Sequence, residues 1–224
     1  MSWLVKDSET GFAKSISHPL TTELCQGDLA DYVLYTYLVQ DLKFFEFGLN
    51  VLGKTLALCD DSTASIRLAK QIGFLAHDEN TYFRDTLAEL ETAADLAQVA
   101  KLKQDNSITL AEVQGYIDYL KYMTFECDSY VELITFCYAM EKVYLGWVEY
   151  NRDKGQIATG LAAKFQNWID LHSGDHFVEW VDFLCKEVER TTTTPEAREV
   201  SKRVFDKAVA LEIDFFESCY NYRG

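Results

Sequence analysis

Residues 34–49 read LYTYLVQDLKFFEFGL. At 3.6 residues per turn, Leu34, Tyr37, Leu38, Phe45, Gly48 and Leu49 fall on one helical face. Asp41 lies in the middle of that face. A buried carboxylate without partners costs several kcal/mol, so this type of residue seldom occupies such a position alone. A surface ion pair does not need the location; a polar pocket lined by aromatic rings does.

The same periodicity extends along the chain. There are 224 residues with only 2 prolines and 11 glycines, a composition that favours long helices over frequent turns. No segment alternates with period two between hairpin signals, and no internal repeat or linker interrupts the pattern. The expectation is an all-α helical bundle of about eight helices forming a single domain over 1–224. An opening helix ends at His18-Pro19. The next runs from a cap at Asp28 to about Leu58, and a third from Ser62 or Thr63 to about Leu90. Thr109-Leu-Ala-Glu112 has the form of a capping box, and Asp128 or Ser129 opens a further helix to about Tyr150. Two more span about 159–172 and 174–190, separated by the HSGDH turn (172–176). Thr194-Pro195-Glu196 starts the last, with proline at its first position.

Composition excludes several functions. Nearly half of the residues are hydrophobic and 14% are aromatic, which disfavours disorder. The net charge of -15 argues against nucleic acid or an anionic membrane as a partner. No apolar run reaches the roughly 18 residues of a membrane span, and the first residues do not resemble a secretory signal. Six scattered cysteines form no CxxC pair, so they read as reduced thiols of a cytoplasmic protein and not as a zinc or redox site. A carboxylate-bridged metal pair in a helical bundle requires Glu-x-x-His. The residues three before His18, His77, His172 and His176 are Ser15, Phe74, Ile169 and Ser173, so no metal site is expected. Phosphate-binding glycine motifs and GxSxG are also absent.

Asp41 has company. Glu79 shares a face with Ile72, Leu75 and Leu87. Glu141 shares one with Ile134, Cys137, Tyr138, Tyr144, Leu145 and Val148, and Cys137 is its neighbour one turn earlier. Glu217 stands among Ile213, Phe216 and Tyr220 at the edge of the last apolar stripe. Four helices therefore each offer an acid to the interior. Clustered carboxylates repel and hold protons more tightly, which suits proton transfer or a basic ligand.

These residues also carry a resemblance. YLVQDLKFF resembles the Y-x-x-Q/N-D segment of the TenA, or thiaminase II, proteins, with Asp41 at the substrate-binding aspartate. Gly115-Tyr116-Ile-Asp-Tyr119 is similar to the family's AYxxY, with Tyr116 at the site tyrosine. FQNWIDLHSGDHF (165–177) resembles its Y-x-x-W-I-x-x-Y-x-G-x-x-F, and Glu212-Ile-Asp-Phe-Phe-Glu217 its closing E-x-x-F-W-E. The resemblance implies a haem-oxygenase-like bundle assembled as a homo-oligomer, dimer or tetramer, that needs no cofactor. It implies hydrolytic C–N cleavage of a small aminopyrimidine, either thiamine or an aminomethyl- or formylaminomethyl-pyrimidine, in thiamine pyrimidine salvage. It assigns Glu217, Glu141 and Cys137 to catalysis, and Asp41, Phe44, Tyr116 and His172 to substrate binding; Glu79 joins the substrate-binding group on its helical face alone. Phe44 and His172 stand where the family carries tyrosine, and Phe136 where it has proline beside the cysteine. This resembles the branch that relies on glutamates more than on a cysteine nucleophile. Two chemistries stay open: attack by a Cys137 thiolate, or water activation by Glu141 or Glu217 with Cys137 as a core residue. A catalytically inactive pyrimidine-binding or regulatory protein is the alternative function.

Overall fold

The computed structural model describes residues 2–224, except for the side chains at 78–80 and 94. The described residues form helices and connecting turns, with no strand. Three short helices, α1 (Trp3–Asp7), α2 (Glu9–Ile16) and α3 (Pro19–Gln26), precede the long α4 (Asp31–Leu58). Then come α5 (Ser62–Phe74), a π-helical turn (Leu75–Glu79), α6 (Asn80–Leu90), a 3-10 segment (Ala94–Val99) and α7 (Ala100–Gln104). The remaining helices are α8 (Ala111–Phe125), α9 (Tyr130–Asp153), α10 (Ala163–Leu171), α11 (Asp175–Thr191) and α12 (Pro195–Asn221). The all-α class matches the expectation. The higher helix count comes from the short opening and connecting pieces, and from the π turn that divides the helix expected over 62–90.

Local chemistry sets most of the boundaries. Pro19 biases His18 to extended backbone, and the His18 ring caps α3 by accepting from the Leu20 N–H. Gly27 ends α3 in the left-handed region, at φ 79°. Ser129 and Thr194 cap α9 and α12 through their hydroxyls, as expected. Three expected caps differ. Asp61, not Ser62 or Thr63, caps α5 by accepting from the Ala64 N–H. Ala30, not Asp28, precedes α4 and provides no side-chain cap. At α8, Thr109 forms no capping box. Gln40, buried on α4, instead donates to the Ile108 carbonyl and accepts from the Leu110 N–H. A distant side chain thus holds the start of α8 where a local motif was expected to, and it ties α8 to α4.

Helix α9 packs on α11 and α12, while α4 packs on α8 and α12. From Val33 to Asp41 every residue of α4 is buried; from Leu42 to Asn50 the helix is half-buried or exposed. Helix α4 is thus core up to Asp41, less covered over the next turns, and buried again at Val51, Leu52 and Thr55, and Asp41 marks the first transition. Helix α2 approaches α9 at Gly146, where a Cβ would lie 2.7 Å from Ile16 Cγ2 and 2.9 Å from Phe12 Cζ. Replacing a mid-helix glycine with alanine ordinarily stabilises, but here the contact reverses the sign. Gly146→Ala is expected to lower the unfolding free energy by roughly 1–3 kcal/mol in urea titration; a gain in stability would contradict this packing.

Candidate active site

Where α4 leaves the core, it opens a cavity of about 80 Å³, room for roughly half a dozen waters. Its polar side chains are Asp41 from α4, Glu141 and Tyr144 from α9, and His172 at the end of α10. Phe44, Phe45, Leu52, Phe83 and Met140 supply apolar walls, and Leu75 contributes from the π turn. Insertions of this kind are frequent beside functional sites because they break helical register locally.

Asp41 is 5% exposed. Burial pushes its carboxyl up to about 7, against the hydrogen-bonding pull of Tyr37 and Tyr144. Those two hydroxyls lie 3.0 Å apart. Glu141 is also pushed up to about 7 by burial, while the Trp180 indole N–H, donating to Oε1 at 2.8 Å, favours its ionised form. A third acid stands behind the cavity. Glu212 on α12 is 1% exposed and accepts from the Tyr116 hydroxyl at 2.7 Å. Burial raises its carboxyl to about 8, the Tyr116 bond opposes this, and the Asp41 and Glu141 charges add to the rise. Three acids from three helices are thus each raised toward neutrality by burial, and the charges of Asp41 and Glu141 reach Glu212.

The expected site residues fall into three groups. Asp41, Phe44, Glu141 and His172 come together around the cavity. Tyr116 sits one layer back, with its ring 4.6 Å from that of Phe44. Cys137 and Glu217 are not at the cavity. Cys137 is fully buried, 3.7 Å from the Thr55 hydroxyl, and desolvation, reinforced by the Glu141 charge, lifts its thiol to about 12. A thiol so held supplies almost no thiolate at neutral pH. The Glu217 side chain is 62% exposed and pairs with the His18 ring at 2.9 Å. The Glu79 side chain lies outside the described residues; its backbone ends the π turn.

Glu212 is the residue that sequence reasoning missed. It opens the same E-x-x-F-F-E segment, and the buried series Val204, Ala208, Leu211, Phe215 and Cys219 marks the inward stripe of α12. At 100° per residue, Glu212 lies on that stripe, and Glu217 roughly 140° further round the helix. A stricter reading of the period would have chosen between them. Tyr144, one turn beyond Glu141, was visible on its apolar face but was not singled out. Among the described residues, no group of three or more His, Cys, Asp and Glu side chains is arranged to hold a metal ion, and no helix is long and apolar enough to cross a membrane.

A sequence model of the TENA/THI-4/PQQC family matches residues 9–222. The chain belongs to that family. Its fold is shared by a TenA homologue from Pyrococcus furiosus, at TM-score 0.80 and 19% identity, covering 96% of this chain and 97% of that one. A TenA homologue from P. horikoshii aligns at TM-score 0.79 and 17% identity, covering 97% and 96%. A TenA-like thiaminase candidate from Sulfolobus solfataricus aligns at TM-score 0.72 and 13% identity, covering 96% and 93%. No curated protein matches the sequence. At these identities the structural likeness speaks for the fold, and the site must be read from this chain's own residues.

The acids make a stability prediction for this family member. A carboxyl whose pKa is raised on folding binds more protons folded than unfolded between its two pKa values, so stability falls as pH rises through that window. For Glu141 the window runs from the unperturbed 4.5 to about 7. Glu141→Gln should therefore gain stability relative to the parent chain between pH 4.5 and 8, by roughly 1–3 kcal/mol. Thermal melts across that range test it, and a difference that does not change with pH would contradict the assignment.

Proposed function

We propose that this chain is a hydrolase of thiamine-related metabolism that cleaves an exocyclic C–N bond of a small aminopyrimidine. The observation that carries the reading is the pair Asp41 and Glu141, two carboxyls near neutrality on opposite helices of one aromatic-lined cavity. Family membership and the TenA-like thiaminase candidate among the structural relatives support it.

The described side chains lining the cavity include acids and no lysine or arginine, so it favours a cationic or donor-rich ligand. Asp41, ionised when such a ligand arrives, accepts from the ring amino group and a protonated ring nitrogen. Phe44 stacks on the ring, held in place by Tyr116 behind it. Glu141 takes a proton from water as the water oxygen bonds to the exocyclic carbon. The aminomethyl nitrogen, bound as its ammonium form, keeps the electron pair of the C–N bond as it breaks and departs as the neutral amine, and Glu141 afterwards releases its proton to solvent. For an aminomethylpyrimidine the balance is one water consumed, with hydroxymethylpyrimidine and ammonia formed. A general base titrating near 7 is matched to this task, because it is substantially ionised yet still basic. Cys137 takes no part: its thiol is buried and holds its proton. Glu212 retains its proton most tightly and braces the Tyr116–Phe44 wall.

The test is turnover of aminomethylpyrimidine, formylaminomethylpyrimidine and thiamine, with hydroxymethyl- or aminomethylpyrimidine as product. Glu141→Gln should lower kcat by about 100-fold or more and remove the acid limb of the pH profile. Cys137→Ala and Glu217→Gln should stay within about threefold of the parent. Binding without turnover of any of the three would favour a pyrimidine-binding protein. Loss of activity in Cys137→Ala with an unchanged fold would restore the thiol mechanism.

A further inference from the structure

Glu141 meets a second helix on the side away from the cavity. Trp180 of α11 is fully buried, and its indole N–H donates to Glu141 Oε1 at 2.8 Å. The ring lies on Phe183, with centroids 5.4 Å apart and planes 22° from parallel, and α11 packs along α9. An indole enclosed in this way cannot swing to another acceptor. Trp180 does not line the cavity, whereas Glu141 does. Among the described residues no donor meets the other oxygen, Oε2, and Oε2 is not sealed from open space. The space beside Glu141 is the cavity. The two oxygens of one carboxyl therefore differ in their surroundings: Oε1 faces a fixed donor, and Oε2 faces the room a ligand would fill.

An indole N–H donates and never accepts. The oxygen it meets must offer a lone pair in both protonation states of the acid. Oε1 is therefore the carbonyl oxygen when Glu141 is neutral, and the proton sits on Oε2. A hydroxyl in the same place could rotate and accept, and would leave the two oxygens interchangeable. Resting on the hydrolase reading above, we propose that Trp180 is a positioning residue: it holds Oε1 of Glu141 so that Oε2 is the atom that takes the proton from the attacking water. The water's O–H bond breaks as its oxygen bonds to the exocyclic carbon, the proton goes to Oε2, and the Trp180–Oε1 bond is kept throughout. The base needs no reorientation during the step, which is how a preset donor lowers a barrier. The same bond favours the charged carboxylate against the burial that opposes it, so removing it leaves less base at neutral pH. The other titratable groups around Glu141 are Asp41 of α4, Cys137 and Tyr144 of α9, His172 at the end of α10 and Glu212 of α12, while the π turn adds Leu75. Of these, Asp41 and Glu212 titrate in the same range, so a test must separate Glu141 from them.

The experiment replaces Trp180 with 3-benzothienylalanine, which keeps the bicyclic shape and exchanges the N–H for sulfur. With aminomethylpyrimidine as substrate, kcat at pH 7 should fall about tenfold and the acid limb of the kcat profile should move up by about one pH unit, while KM stays within about threefold of the parent. Trp180→Phe, which also opens space beside Glu141, should move the limb in the same direction. An unchanged limb and kcat in the benzothienyl variant overturn the proposal and leave the hydrolase standing. The parent chain supplies a second measurement that needs no turnover. In proton NMR, the Trp180 indole N–H resonance, identified by its loss in Trp180→Phe, should move with pH with a midpoint near 7. It should stay nearly fixed in Glu141→Gln, where Asp41 and Glu212 still titrate. An equal pH response in the parent and in Glu141→Gln overturns the proposal. Absence of turnover for every pyrimidine overturns the hydrolase reading beneath it, whatever the resonance does.

Discussion

Carboxyl groups kept out of water within a helical bundle constrain everything else at this site. Asp41, Glu141 and Glu212 come from α4, α9 and α12, and each is tolerated because a neutral donor meets it. The bonded hydroxyl pair of Tyr37 and Tyr144 stands beside Asp41 with one proton to offer it, Trp180 serves Glu141, and Tyr116 serves Glu212. Among the described residues, none is met by a lysine or arginine. A cationic partner would have drawn their pKa values down and left ordinary, inert carboxylates. Hydroxyl and indole donors compensate the burial only in part, so the acids remain poised between two protonation states. The stability sacrificed at neutral pH is the physical counterpart of that readiness.

The aromatic residues are the second half of the same arrangement. Trp168 touches Tyr37, Tyr82, Phe83, Tyr144 and His172, so one indole holds parts of α4, α6, α9 and α10 in register. Phe44 rests on Tyr116, which in turn is fixed by Glu212. A ligand entering the cavity meets rings whose positions are already set by packing, so little ordering is needed on binding. The π turn at Leu75–Glu79 departs from regular helix and reaches the cavity through Leu75.

Much of this was legible in the linear sequence, for reasons specific to each residue. Asp41 and Glu141 sit in long, strongly periodic helices, where the apolar stripe is wide and any acid within it stands out. Both line the cavity. Glu217 stands at the edge of a stripe, where a difference of about 140° around the helix separates core from solvent, so of the two glutamates in the motif Glu212 is the one that lies inside. Cys137 illustrates another limit. Its i,i+4 relation to Glu141 was correct, but spacing along one helix cannot say whether a thiol faces a cavity or the neighbouring helix. Burial against Thr55 of α4 decided that.

The sequence by itself determined the all-α class, the long helices and the presence of interior acids, because helical periodicity is a property of consecutive residues. Tertiary structure decided which acids meet, since that depends on the rotation of α4, α9 and α12 about their axes, which no single helix records. It also decided the chemical character of each group. The raised acids and the inert thiol are consequences of neighbours brought from distant parts of the chain, and of the water those neighbours exclude.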